Sequence, residues 1–190
     1  MRHLNKVERG DIQSSYNIAV CHATGYGVKQ DLDKAFENYM IAAEAGHPGA
    51  QFQVGNFYFE GRGNIAQDYA KAVAWLNKAY QNMEAEDCWQ PAAELAICYQ
   101  DGLGTFQDDD TAFQFLSELE ENEMLDDVWE PLDAMVLNAL GVAYGFGRGT
   151  EQNIPLAIEY FDRAIEYDSE EAKKNKARFK KTIFGSWKIK

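Results

Sequence analysis

Apolar positions in this chain recur in a way that fits paired α-helices. Ala50, Val54 and Tyr58 are spaced by four, as are Ile18 with His22, Leu95 with Tyr99, and Leu140 with Tyr144. Such spacing marks one face of a helix. Downstream of each lies a second pattern, opened by Ala35, Ala72, Ala112 and Ala157. Four residues further on stand Tyr39, Leu76, Leu116 and Phe161, and three beyond those Ala42, Ala79, Leu119 and Ala164. Offsets of 0, 4 and 7 again trace a helical face.

A short glycine motif separates the two helices of each pair. Tyr58-Phe59-Glu60-Gly61-Arg62-Gly63, Tyr99-Gln100-Asp101-Gly102-Leu103-Gly104 and Tyr144-Gly145-Phe146-Gly147-Arg148-Gly149 are clear copies. His22-Ala23-Thr24-Gly25-Tyr26-Gly27 is a fourth, with His in place of Tyr. The first glycines are 36, 41 and 45 residues apart, and the growth is assigned to longer connectors. The first glycine of each motif can take positive φ and end helix A; the second allows a tight reversal and close backbone approach. An acid precedes helix B in three copies (Asp31 or Asp33, Asp68, and Asp108 to Asp110) and can cap its free amides. Pro155 suits the first turn of the fourth. Neither helix can bury its apolar face alone, so the pairs must stack.

The expected fold is all-α: a right-handed α-α solenoid of about four helical hairpins plus a C-terminal capping helix. The solenoid is placed at residues 1–172, with repeats near 11–46, 47–82, 90–124 and 132–167, and a basic helix or cap at 173–190. That final helix is read from Phe179, Ile183 and Trp187, spaced by four, with Phe184 beside them. A basic amphipathic helix for a membrane or partner is the rival reading of this segment.

Charge is unevenly distributed. The net formal charge is −13. Residues 173–190 hold eight Lys/Arg and no acid, so the first 172 carry a net of −21. Residues 79–147 contain no Lys or Arg but 16 acids. Such a surface favours solubility, repels nucleic acid and anionic membranes, and attracts cationic proteins. Three cysteines (Cys21, Cys88, Cys98) without metal spacing suggest reduced thiols, and the start lacks the apolar region of a secretory signal. A cytoplasmic protein is expected. Apolar runs are too short to span a bilayer.

No catalytic set is recognisable. Gly-x-Gly lies between helices here, unlike a phosphate loop. Asp108-Asp109-Asp110 lacks the glycine and distal Glu of a calcium loop. His3, His22 and His47 are scattered, and His22 takes a core position. No catalytic, cofactor-binding or metal residue is assigned, no cofactor is expected, and a hydrolase is only a remote alternative.

The pattern Ala-x-x-x-Leu-Gly-x-x-Tyr-x-x-Gly-x-Gly, followed by Asp-x-x-Lys-Ala-x-x-Trp, resembles the Sel-1-like repeat, a relative of the tetratricopeptide repeat. The second copy matches best, through Ala50, Val54, Gly55, Tyr58, Gly61, Gly63, Asp68, Lys71, Ala72, Trp75, Lys78 and Ala79. The resemblance covers roughly residues 11–165. It implies an adaptor or scaffold that holds a partner protein in a concave groove lined by the A helices. Mapped by repeat phase, the groove residues are Tyr16 and Val20; Phe52, Asn56 and Phe59; Ala93, Ile97 and Gln100; and Asn138, Val142 and Phe146. The acidic connectors form a second candidate surface. Glu84, Glu86 and Asp87 precede the third repeat, while Glu118, Glu120, Glu121, Glu123, Asp126 and Asp127 precede the fourth. The expected partner is a cationic protein, and the chain alone is expected to be a monomer. A dedicated inhibitor, such as an immunity protein neutralising a basic toxin, is the alternative.

Overall fold

The computed structural model describes residues 4–83, 89–121, 130–181 and 187–189, with the side chains of 4–11, 121 and 130–133 left aside. Nine helices are present among them: α1 (Leu4–Thr24), α2 (Leu32–Glu44), α3 (Pro48–Glu60), α4 (Tyr69–Asn82), α5 (Trp89–Asp101), α6 (Asp109–Glu121), α7 (Glu130–Phe146), α8 (Ile154–Glu166) and α9 (Glu170–Lys176). Strands β1 (Phe179–Lys181) and β2 (Trp187–Ile189) follow and pair antiparallel, Lys180 opposite Lys188. The all-α hairpin-repeat expectation holds. The chain falls into two compact units, Met1–Pro91 and Ala92–Lys190.

Each hairpin is closed by the same hydrogen bonds. The residue before helix B donates its backbone N–H to the carbonyl of the Tyr or His position of helix A: Asp31 to His22, Asp68 to Tyr58, Asp108 to Tyr99 and Asn153 to Tyr144, at 2.7–2.9 Å. The side chain of that residue then caps the new helix, accepting from Lys34, Lys71, Thr111 and Leu156 N–H respectively. Asp31 rather than Asp33 is therefore the first cap, and Asn153 fills the role where no acid precedes. These backbone bonds hold the Asp31, Asp68 and Asp108 carboxyls below their usual pKa. Gly61, at φ 71°, ends α3, and Arg62 N–H returns to Phe57 O at 3.2 Å. The first glycines of the other copies (Gly25, Gly102, Gly147) share positive φ, as do the second glycines Gly27, Gly63, Gly104 and Gly149.

The core of the first unit is built from Ala35, Tyr39, Ala42, Ala50, Val54 and Phe57, with Phe36, Met40 and Trp75 packed against it. In the second unit Leu95, Leu116, Leu137, Leu140 and Phe161 are fully buried.

The expected final helix is corrected by the structure. Helix α9 stops at Lys176, and Phe179 and Trp187 lie on strands β1 and β2; Ile183 and Phe184 lie outside the described residues. Phe179 is nonetheless buried, its ring 5.1 Å from Phe146 and 6.0 Å from Phe161. The apolar cover of the fourth repeat is thus delivered by a strand.

Candidate functional site

The A-helix positions nominated for partner binding differ sharply in accessibility. Phe52 and Asn56 are buried on α3, and Ile97 and Gln100 on α5. The Gln100 side-chain amide donates to Ala139 O at 3.0 Å. These four residues, with Ala93, correct the exposed-groove expectation. Helix α3 is buried at seven of its thirteen residues, Ala50 to Phe52 and Val54 to Phe57, so more than one flank of it is enclosed. A phase argument that treats one stripe as open cannot see this.

The remaining positions are half-buried. Tyr16 on α1 stacks on His47 at 4.3 Å and lies 5.7 Å from Tyr39, and its burial raises the phenol pKa. Val20 packs against the core of the first unit. Phe59 meets Tyr69 edge to face at 5.3 Å. Asn138 on α7 accepts from the Asn175 side chain of α9 at 3.0 Å. Val142 is half-buried without a described polar role. Phe146 lies under the Arg178 guanidinium, 4.1 Å away, and beside Phe179. At the fourth repeat the C-terminal segment therefore already occupies part of the nominated surface.

The acidic set is divided too. Glu118 is half-buried and accepts from Gln114. Glu120 is an internal acceptor: the hydroxyls of Tyr144 on α7 and Tyr160 on α8 both donate to it, and the two rings stack at 5.8 Å. Burial and the Glu120 charge push the Tyr144 phenol up to about 12 and raise that of Tyr160 further. Glu120 thus ties three helices together. The side chain of Glu121, together with Glu84, Glu86, Asp87, Glu123, Asp126 and Asp127, lies outside the described residues.

Sequence reasoning missed three features. His47 caps α3 by accepting Ala50 N–H on Nδ1 at 3.2 Å, and its Nε2 meets Gln13 Oε1 at 3.2 Å; Pro48 immediately after it was the available signal. Arg148 pairs with Asp109 at 2.9 Å and also donates to Gln100 O. Lastly, Phe106 is 93% exposed beside an open cavity of about 480 Å³ lined by Tyr99, Thr105 and Gln107 to Asp110. Among the described residues no group of three or more His, Cys, Asp or Glu could hold a metal ion. No helix among them is long and apolar enough to cross a membrane. The Cys98 thiol is buried and pushed up to about 12 by burial, first of all, and by the nearby Glu94 and Asp101 charges.

Comparison with known proteins agrees with this geometry. The Sel1 repeat model matches residues 12–47, 48–82, 91–119 and 134–166, more than half of the chain. Chitin synthase regulatory factor 2 of Schizosaccharomyces pombe is 32% identical over 92 residues, 48% of this chain and 18% of that protein. Chitin synthase regulator SKT5 of Saccharomyces cerevisiae is 30% identical over 99 residues, 50% of this chain and 14% of its own length. The match therefore spans less than a fifth of these curated relatives. Among solved structures, c5321, a protective antigen of uropathogenic Escherichia coli with an SLR fold, superposes with a TM-score of 0.65 at 25% identity, covering 90% of this chain and 33% of that one. A Sel1 repeat protein from Oxalobacter formigenes gives 0.62 at 22%, covering 85% and 43%. With four hairpins closed by one set of bonds and four matched repeats, this chain belongs to the Sel1 repeat family.

Proposed function

We propose that the chain is a non-enzymatic adaptor that holds a cationic segment of another protein. The carrying observation is the coincidence of Sel1 repeats with a stretch, residues 79–147, that has 16 acids and no Lys or Arg. Such a surface raises the encounter rate with a basic partner and repels nucleic acid and anionic membranes. That relatives are named as regulators of an enzyme supports a role in binding rather than catalysis. Within the second unit the half-buried Val142 supplies an apolar foothold, and the exposed Asp101 and Asp110, with the half-buried Glu118, supply the charge. A cytoplasmic location suits the free thiols of Cys21 and Cys98. The immunity-type inhibitor is a special case of the same reading, with one cognate basic target instead of a client set.

The test is a titration of the chain with lysine-rich and glutamate-rich peptides of equal length, at low and high salt. The lysine-rich peptide should bind, and its affinity should fall steeply with salt. The triple variant Asp101→Lys, Asp110→Lys, Glu118→Lys should lose about tenfold or more in affinity. Equal affinity for both peptides, or indifference to the triple variant, would remove the electrostatic basis.

A further inference from the structure

Position 145 of the fourth repeat lacks what its counterparts carry. Gly145 follows Tyr144 as Phe59 follows Tyr58 and Gln100 follows Tyr99. Phe59 packs its ring against Tyr69, and the Gln100 amide is buried on Ala139 O. Gly145 has no side chain, and the space beside it is filled from outside the repeat. A Cβ there would stand 2.8 Å from the Phe179 ring and 3.2 Å from Ala157 Cβ. The Phe179 ring thus seats in a notch walled by Gly145, Phe146 and Phe161.

Phe146 is the residue at the end of α7 that the repeat phase assigns to partner binding, and it is already engaged. The Arg178 guanidinium lies 4.1 Å from its ring centroid. The resident occupant is therefore a basic–aromatic pair, Arg178-Phe179, and Lys176 just before it pairs with Asp162. With eight Lys/Arg and no acid over residues 173–190, this segment has the charge expected of the partner. Its hold beyond α9 is slight. Of the described residues from Arg178 onward only Phe179 is buried; Arg178, Lys180, Lys181, Lys188 and Ile189 are exposed. Burying one Phe shifts an equilibrium by a factor of about 10 to 100. A partner segment that brings its own ring can match that, and its further cations gain from the Lys- and Arg-free stretch that runs to the end of α7. Helix α9 keeps its own anchors, the buried Ala172 and Asn175 on Asn138, so the notch can be vacated without unfolding the repeat.

We propose that this notch is a docking pocket for an aromatic side chain flanked by cations, and that Arg178-Phe179 is a built-in competitor which a basic partner segment displaces. The proposal rests on the adaptor reading and adds to it the ring that the partner brings and the seat that receives it. Because the resident pair must leave first, the affinity seen by a partner is reduced by the fraction of time that the notch stands open.

Two lysine-rich peptides of equal length and charge test this, one with a central Arg-Phe pair and one with Arg-Ala. Each is titrated against the intact chain and against Phe179→Ala. With the competitor's ring removed, the Arg-Phe peptide should bind about tenfold or more tighter than it binds the wild type, and the Arg-Ala peptide less than about twofold tighter. Arg178→Gln, at an exposed residue, should favour the Arg-Phe peptide in the same sense by about threefold, with unchanged circular dichroism. It carries the test if Phe179→Ala disturbs the fold. In the wild type, hydrogen exchange at the amides of β1 and β2 should quicken with the Arg-Phe peptide and not with the Arg-Ala peptide, while α7 and α8 keep their protection. Equal gains for the two peptides in both variants, or strands that keep their protection with the Arg-Phe peptide bound, would overturn the displacement and leave the charge-driven adaptor standing. Binding of neither peptide to any of the three chains would remove both.

Discussion

His47 carries a pH dependence that its position makes readable. Its Nδ1 must be unprotonated to accept Ala50 N–H, and burial lowers its pKa from the usual 6.5. The unfolded chain therefore binds the proton more readily, and stability rises with pH across the window between the lowered value and 6.5. The contribution is complete above 6.5 and is lost as pH falls through that window. Thermal melts between about pH 7.5 and 5 should show the loss, and His47→Asn, which caps without titrating, should flatten it, while His47→Ala should cost about 1 kcal/mol at neutral pH. Glu120 makes a second residue-scale case. Glu120→Ala leaves the Tyr160 hydroxyl, on a residue only 5% exposed, without its acceptor, and urea unfolding should show a loss of about 1–3 kcal/mol. Neither role was legible in the sequence. Glu120 reads as one more acid in an acidic run, and only the placement of Tyr144 and Tyr160 on two other helices turns it into a tie. Phe52, Ile97 and Gln100 were misread for the same reason: enclosure by neighbours leaves no local mark.

Among elements, the turns were the most legible part, because positive φ and close approach leave a residue-type signature. The twin glycines nonetheless differ in consequence. Gly149→Ala adds a Cβ that collides with Asp109 backbone at positive φ and should cost more than about 3 kcal/mol. Gly27→Ala meets open space and should cost only the conformational penalty, about 1–2 kcal/mol. Equal losses in urea titrations of the two would refute the close approach at Gly149. The C-terminal segment shows where periodicity misleads. Phe179, Ile183 and Trp187 fit a helical spacing, yet Trp187-Lys188-Ile189-Lys190 alternates with period 2, and Gly185-Ser186 reads as a turn. The alternation prevailed, placing Phe179 opposite Ile189 and Lys181 opposite Trp187.

At the scale of the whole molecule, the excess of acid weighs on stability as well as on partner choice. Like charges concentrated in residues 48–172 repel within the folded chain. Raising sodium chloride from about 20 to about 300 mM should raise the urea midpoint, and a falling midpoint would contradict this. The number of repeats was legible because each carries its own glycine motif. The division into two compact units was not, since nothing in the motif changes across Pro91. One departure from the repeat rule has a further effect. The side chains of Gln30, Gln67 and Gln152 each latch onto a carbonyl of their own helix A, at Ala23, Phe59 and Gly145. Gln107 turns instead to Asp109, because Arg148 holds the Gln100 carbonyl. The third hairpin thus borrows its clasp from the fourth. A nascent chain would finish this turn only after the ribosome has delivered Arg148, and a protein cut short before that residue would leave the clasp undone.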